Sequence, residues 1–423
     1  MKLNIITLGC KVNAYESEFI KSLFLSNGYL YTDCLSDADV IVINTCSVTN
    51  QADQKSAKMI RHARKENNHA VLVVCGCSAE YKREEYTNLD IDILIGTKDK
   101  SHILEYVNVF LNKHEKFVQF SDDMHPSFEN MAISSFSAKT RAFVKIQDGC
   151  NNFCSYCVIP YLRKGIRSKD FDETVCEIKA LVNNGFKEVV LTGIHTGSYY
   201  NNGHDLTDLI HEISKIDGLE LIRISSIEIT ELSDKFLEEF KNNNKICNHL
   251  HVPIQSGSNE ILKLMNRKYQ KDYFIDKINL LRTLKADLNV TTDCIVGFPG
   301  ESEELFNETL ETIKKINFSK VHVFPYSKRN GTVAASLPNQ VDGKTLKERT
   351  LKLIRLSDEL NLSYNKTFIG KTVRVLIETT GTESVGHTAN YLKVIVKDSL
   401  EHNHFYDVLI TDCDSEAVYG VLK

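Results

Sequence analysis

No stretch of this 423-residue chain approaches the ~18 consecutive apolar residues of a membrane span, which excludes helical transporters and receptors as function classes. The segment from Met1 to Cys10 lacks the small-residue cleavage site of a secretory leader and reads as a first strand, so a cytoplasmic location is expected. An excess of positive charge is missing too. At a formal net charge of -5 the chain has no global attraction for nucleic acid, and any RNA contact has to come from local patches. Its twelve cysteines also lack the look of a disulfide framework: half sit in turn-like or clustered positions, which suits metal ligation in a reducing compartment. Cys34, Cys176, Cys247, Cys294 and Cys413 lie in ordinary segments and read as core or incidental. With 42% apolar and 25% charged residues, the composition is that of a globular protein with room for about three domains of roughly 150 residues.

What the chain does have is Cys150, Cys154 and Cys157, a C-x3-C-x2-C loop directly after a strand-like run. Three thiolates on one short loop hold three irons of a cubane cluster and leave the fourth iron open for chemistry. An electron-carrying cluster usually has four protein ligands, and a structural zinc site wants four, commonly as two separated pairs. This loop matches neither.

A second constellation lies in the first hundred residues. Apolar runs at Leu3 to Leu8, Val40 to Ile43 and Ala70 to Val74 alternate with helical stretches at Glu16 to Ser26 and Ala52 to Lys65, the pattern of a parallel sheet covered on both faces. Each run is followed by a cysteine, Cys10, Cys46 and Cys77. The carboxyl ends of parallel strands line one edge, where ligands bind, so these three thiols are expected to converge there as metal ligands. Cys75 is an alternative to Cys77, but the Gly76-Cys77 turn places Cys77 at the sheet edge and favours it.

From about Lys139 six further strand-helix units follow, with strands at Phe143 to Gln147, Glu188 to Ile194, Leu221 to Ile227, His249 to Ile254, Asn289 to Phe298 and Lys320 to Tyr326. They predict a curved parallel sheet, a partial barrel with its catalytic groups at the strand ends. Polar or glycine-rich residues recur there: Thr192, Gly193 and His195; Ser226 and Glu228; Gln255; Asp293 and Gly297. Glycine lets backbone approach a ligand, and Glu228, Gln255 and Asp293 can hydrogen-bond a cofactor. Each has an equally good reading as an ordinary turn residue, and His195 as a surface histidine.

A helix is expected from Lys344 to about Phe368, carrying Lys344, Lys347, Arg349, Lys352 and Arg355 against Glu348, a positive stripe that either faces solvent or meets phosphates. The segment from Gly370 to Lys423 alternates as a small antiparallel barrel. Its five Lys and Arg against eight Asp and Glu argue against strong nonspecific phosphate binding.

The C-x3-C-x2-C loop resembles that of radical S-adenosylmethionine enzymes. Joined to a three-cysteine N-terminal domain and a small C-terminal domain similar to TRAM, it resembles the methylthiotransferase family along the whole chain. The resemblance implies an α/β protein of three parts: an N-terminal parallel-sheet domain of Rossmann or flavodoxin type over 1–115, a partial (β/α)6 radical core over 136–368, and a TRAM barrel over 369–423. It implies two 4Fe-4S clusters, one on Cys150, Cys154 and Cys157 as the catalytic centre and one on Cys10, Cys46 and Cys77 that supplies or carries sulfur. S-adenosylmethionine would serve as radical source and methyl donor, with Thr192 and Gly193 matching the family's methionine-amino motif and Asp293 to Gly300 its later glycine motif. Implied partners are tRNA, an external electron donor and a sulfur donor, with no membrane.

The runs around Cys10 and Cys46, with Ser226 to Glu228 and Lys328 to Thr332, look like the branch acting on N6-threonylcarbamoyladenosine beside the tRNA anticodon. Tyr391 would offer a stacking surface to RNA. The alternatives are the sister enzymes acting on isopentenyladenosine or on a ribosomal-protein aspartate and, in a different class, a noncatalytic iron-sulfur or RNA-binding protein.

Overall fold

The fold is described from a computed structural model covering residues 1–124, 126–133 and 140–423. The expected start of the core at 136 lies outside these described residues.

Strands β1 (Lys2–Thr7), β2 (Leu30–Tyr31), β3 (Val40–Thr45), β4 (Val71–Gly76), β5 (Ile93–Ile95) and β6 (Phe117–Gln119) form one parallel sheet in the order β2-β1-β3-β4-β5-β6. Alternation along the strands builds both of its cores. Val40, Val42, Val71, Val73 and Cys75 pack on one face with Ile20 and Phe24 of α1 (Lys11–Ser26). Ile41, Ile43, Leu72 and Val74 pack on the other with Ala57, Ile60 and Ala63 of α2 (Asn50–Glu66). Thr49 caps α2 by accepting from the Ala52 amide at 3.1 Å. The sheet runs a few residues past the expected boundary at 115.

Six parallel strands follow: β7 (Arg141–Lys145), β8 (Glu188–Thr192), β9 (Leu221–Ile224), β10 (His249–His251), β11 (Asn289–Val296) and β12 (Lys320–Pro325). They make two three-stranded sheets, β7-β8-β9 and β10-β11-β12, rather than one unbroken ladder. A parallel bridge between Ile222 and Ile246, and the Ile227 amide donating to His251 O at 3.0 Å, join the halves into the partial barrel. Its apolar core includes Tyr15 from α1, so the first domain is docked on the second.

The long helix Gly343–Lys366 leads to Phe368, which is buried in the core of the last domain. Strands β13 (Thr372–Thr379), β14 (Ser384–Thr388), β15 (Lys393–Val396), β16 (Phe405–Cys413) and β17 (Val418–Leu422) close a barrel in the order β13-β14-β15-β17-β16. Closure pairs every strand on both sides and leaves no free sheet edge. Among the described residues no helix is long and apolar enough to cross a membrane.

Candidate active site

The strand ends of the first sheet are tied to one another by buried amides. Asn13 Nδ2 donates to Leu8 O at 2.7 Å and Thr45 O at 2.9 Å, and Thr45 Oγ1 donates to Cys75 O at 2.6 Å. Two glycines let these turns close. Gly9 and Gly76 have φ of +94° and +101°, and a Cβ on Gly9 would lie 2.3 Å from Cys46 Sγ. The turns bring Cys10, Cys46 and Cys77 to the wall of one cavity of about 1080 Å³. Cys75 does not line it and is fully buried with Val71 and Val73 on one face of the sheet. Residues two apart share a strand face, so it is the end of the strand at Gly76 (φ +101°) and the helix that starts at Cys77 that turn Cys77 to the cavity instead.

The cavity lies where all three domains meet. Its wall includes Thr192, Gly193, Ser226 and Asp293 from the barrel and His387 and Tyr391 from the last domain. Ser226 and Glu228 also line a small adjoining recess with His195 and Glu231. Gln255 and Gly297 line neither. Gln255 sits at φ +63° with its backbone bonded to Asp293 O and the Ile295 amide, and Gly297 donates its amide to Glu301 Oε2 at 2.8 Å. A Cβ on Gly297 would collide with Leu346, so this glycine makes room for the helix Gly343–Lys366.

The loop of Cys150, Cys154 and Cys157 is pinned by its backbone. The Ser155 amide donates to Met265 O at 3.0 Å, the Ala334 amide donates to Ser155 O at 2.8 Å, and the Cys157 amide closes a turn on Cys154 O at 2.9 Å. Arg267 Nη1 lies 3.3 Å from Cys154 Sγ, and the same guanidinium pairs with Glu228. His195 bonds Glu231 at 2.6 Å and also meets Cys150. Burial alone would lower the His195 pKa, but these two partners raise it to about 10. Burial pushes the Cys157 thiol up to about 12.

Cys46 and Cys77 are likewise raised by burial, Cys46 to about 12, with Cys10 adding to both shifts and Cys77 to that of Cys46. Such thiols stay protonated unless a cation takes the proton's place. The surroundings supply positive charge. Glu16 accepts from Lys100 at 2.6 Å, Lys145 at 2.8 Å and Arg163 at 3.0 Å, and Asp148 pairs with Lys145, Arg163 and Arg167. Four buried cations thus surround two carboxylates. Arg163 also reaches Cys77 Sγ at 3.3 Å and Asn13 Oδ1 at 3.2 Å. Burial would raise the Glu16 carboxyl, but Arg163, Lys100 and Lys145 hold it well below the usual range. A cationic excess beside Cys10 and Cys77 fits thiolates that carry a metal cluster.

Two expectations need correction. Arg349 is not part of a free basic stripe: it is buried and bonds Glu301 Oε2 at 3.1 Å and Glu303 Oε2 at 3.4 Å. Tyr391 does not offer a free face for an RNA base. His249 and His387 stack on it at 4.9 and 4.8 Å, and the Arg223 guanidinium lies 4.6 Å from its ring centre. Arg329, one of the residues in the runs that look like the threonylcarbamoyladenosine branch, is buried against Asp53, Ser47 and Asn50, which locks the barrel to the first domain.

Arg163, Glu16, Arg267, Lys11, His251 and His322 are site residues that sequence reading did not single out as such. Arg163, close behind Cys157, and Lys11, directly after Cys10, leave a signal in the sequence.

Two family descriptions match the chain: the Radical SAM superfamily over residues 144–313 and the Uncharacterized protein family UPF0004 over residues 2–96. The threonylcarbamoyladenosine tRNA methylthiotransferase MtaB of Bacillus subtilis (strain 168) is 44% identical over 405 residues, covering 92% of this chain and 89% of its own. The Thermotoga maritima protein of that name is 36% identical, with 89% and 86% covered. A tRNA-2-methylthio-N(6)-dimethylallyladenosine synthase of Thermoanaerobacter sp. (strain X514) is also 36% identical, with 89% and 82% covered. Among solved structures, the radical S-adenosylmethionine methyltransferase TsrM from Kitasatospora setae shares the fold, with a TM-score of 0.58 over 79% of this chain and 76% of its own at 12% identity. Relatives this similar along nearly the whole length place the chain in the radical S-adenosylmethionine methylthiotransferase family.

Proposed function

We propose that this enzyme transfers a methylthio group to C2 of N6-threonylcarbamoyladenosine at position 37 of tRNA, in the cytoplasm, with an external electron donor and a sulfur donor as further partners. The observation that carries the reading is the shared cavity, where the three strand-end thiols of the first domain face the strand ends of the barrel. The 44% identity to the Bacillus subtilis relative supports the choice of base.

In this reading Cys150, Cys154 and Cys157 hold the radical cluster, and Cys10, Cys46 and Cys77 hold a second 4Fe-4S cluster. Together with S-adenosylmethionine these groups supply one-electron activation of an unreactive C–H bond, the sulfur atom and the methyl group. The chain supplies position and shelter. Thr192, Gly193, Ser226 and Asp293 on the cavity wall and Glu228 in the adjoining recess would bind S-adenosylmethionine, with Gln255 and Gly297 shaping the turns behind them. Arg267 and Arg163 offset thiolate charge at the two loops. The target base has to leave its stack to enter, so loop geometry decides access more than helix shape.

Reductive cleavage of S-adenosylmethionine by the purified, iron-loaded protein tests the enzyme class. The expected result is 5'-deoxyadenosine and methionine from the native chain and neither from Cys154→Ala. No cleavage with both clusters intact would favour a noncatalytic iron-sulfur protein.

A further inference from the structure

Lys11 follows Cys10 directly, opens α1 and lines the large cavity with its side chain exposed to it. Among the described residues it has no hydrogen-bonded or ion-paired partner. The other charges around it are engaged: Arg223 with Glu188 at 2.6 Å, Arg141 with Glu378 at 3.0 Å, and Asp293 with His251 at 3.2 Å. His322, exposed in the same wall, lies with its ring 5.6 Å from that of His251 and faces Lys11, Lys320 and Asp293. Both ring nitrogens of His251 are engaged, Nδ1 with Thr291 Oγ1 at 3.0 Å and Nε2 with Asp293 at 3.2 Å, so the cavity holds a lysine without an ion-paired partner beside one imidazole, His322, that can donate a hydrogen bond.

We propose that Lys11, supported by His322, forms an anion-binding subsite that takes the carboxylate of the threonyl group on the substrate base. This rests on the reading of threonylcarbamoyladenosine as substrate. That substituent ends in a carboxylate, whereas an isopentenyl group is uncharged and would leave the ammonium facing apolar surface without compensation. The ligand atoms of His251, Asp293 and His322 also lie within 4.8 Å of one another, close enough to hold a divalent cation. Lys11 and Lys320 face that trio, however, and repel a dication while they attract a carboxylate. His251 Nε2 is already engaged by Asp293.

The test compares anticodon stem-loop RNAs carrying N6-threonylcarbamoyladenosine as the free acid or as its carboxamide, with iron content measured alongside. The native enzyme is expected to prefer the acid by about 100-fold in kcat/KM, the scale of a hydrogen bond to a charged group. Lys11→Gln should collapse that preference to within a few-fold, Lys11→Arg should restore most of it, and His322→Asn should lower it partway without a change next to Cys10. A preference that persists in Lys11→Gln overturns the proposal. Equal losses on both RNAs, or loss of cluster iron in Lys11→Gln with full preference in His322→Asn, overturn it in favour of a role for Lys11 at the cluster. A stoichiometric divalent metal that disappears in His322→Asn overturns it in favour of a cation site. Should the native enzyme ignore the acid and modify an isopentenyladenosine RNA, the substrate reading itself fails, and that control separates the two failures.

Discussion

Arg163 Nε lies 3.3 Å from Cys77 Sγ, so the arginine that ends the short helix Ile159–Arg163 after the barrel's cysteine loop reaches a thiol of the first domain. The same side chain is fully buried and bonds Glu16 Oε1 at 3.0 Å and Asp148 Oδ1 at 3.0 Å. One guanidinium thus couples the docking of two domains to the electrostatics of a proposed cluster ligand.

Replacing Arg163 with methionine removes a shared donor from Glu16, Asp148 and Cys77. Breaking a buried ionic network costs about 3–5 kcal/mol, so the Arg163→Met chain should unfold at a clearly lower denaturant midpoint and retain less iron on the first domain. Acid should expose the same network. Glu16 and Asp148 are held below the usual carboxylate range, so their contribution is present above about pH 4 and lost as pH falls through their depressed values. Glu16→Gln should flatten that acid loss, and an unchanged acid limb would show that the network does not carry it.

Cys75 and Cys77 are two residues apart and face different surroundings. Cys77→Ala should abolish one cluster's share of bound iron, while Cys75→Ala should leave iron content intact and cost about 1 kcal/mol for the small hole it leaves in the core. Iron analysis of the two variants decides which thiol is the ligand. Loss of iron from Cys75→Ala alone would reverse the assignment.

Arg267 is held between Glu228 and Cys154 Sγ. Glu228→Ala should therefore raise the S-adenosylmethionine concentration needed for half-maximal cleavage by about 10- to 100-fold, the scale of a charged hydrogen bond, with both clusters retained. Unchanged cofactor dependence would remove Glu228 from the pocket.

Burial pushes the Glu301 carboxyl up to about 7, against the Gly297 amide and the Arg349 guanidinium that favour its ionised form. Among the described residues its Oε1 has no hydrogen-bond partner. A carboxyl whose pKa is raised by folding favours the native state most at low pH, and that contribution falls as pH rises from about 4.5 through 7, on the order of 3 kcal/mol in all. Relative to the native chain, Glu301→Gln should gain thermal stability between pH 5 and pH 8. A pH-independent difference in melting midpoint would show that Glu301 is ionised throughout.

Much of the architecture was legible because its signals are local. Apolar runs ending in the turns Gly9-Cys10, Thr45-Cys46 and Gly76-Cys77 placed three thiols at one sheet edge, and the turn at Gly76, where the strand gives way to a helix, separates Cys77 from Cys75. The six barrel strands follow from the same periodicity, although their division into two sheets depends on how β9 meets β10. What stayed hidden is the pairing of charges from distant segments. Nothing near Arg349 announces that its partner is Glu301, so a buried ion pair read as a basic stripe. Glu16, Lys100, Lys145 and Arg163 converge only once two domains dock. Tyr391 read as free for RNA because the rings that cover it come from β10 and β14. Gln255 and Gly297 carry turn residues' signals, and the structure uses them as turn residues.

Mass spectrometry of tRNA nucleosides from cells with and without this gene tests the central claim most directly. The account predicts that the methylthio form of N6-threonylcarbamoyladenosine disappears with the gene and returns with the intact gene but not with Cys154→Ala. Persistence of that nucleoside, with loss of methylthio-isopentenyladenosine instead, would contradict the substrate assignment.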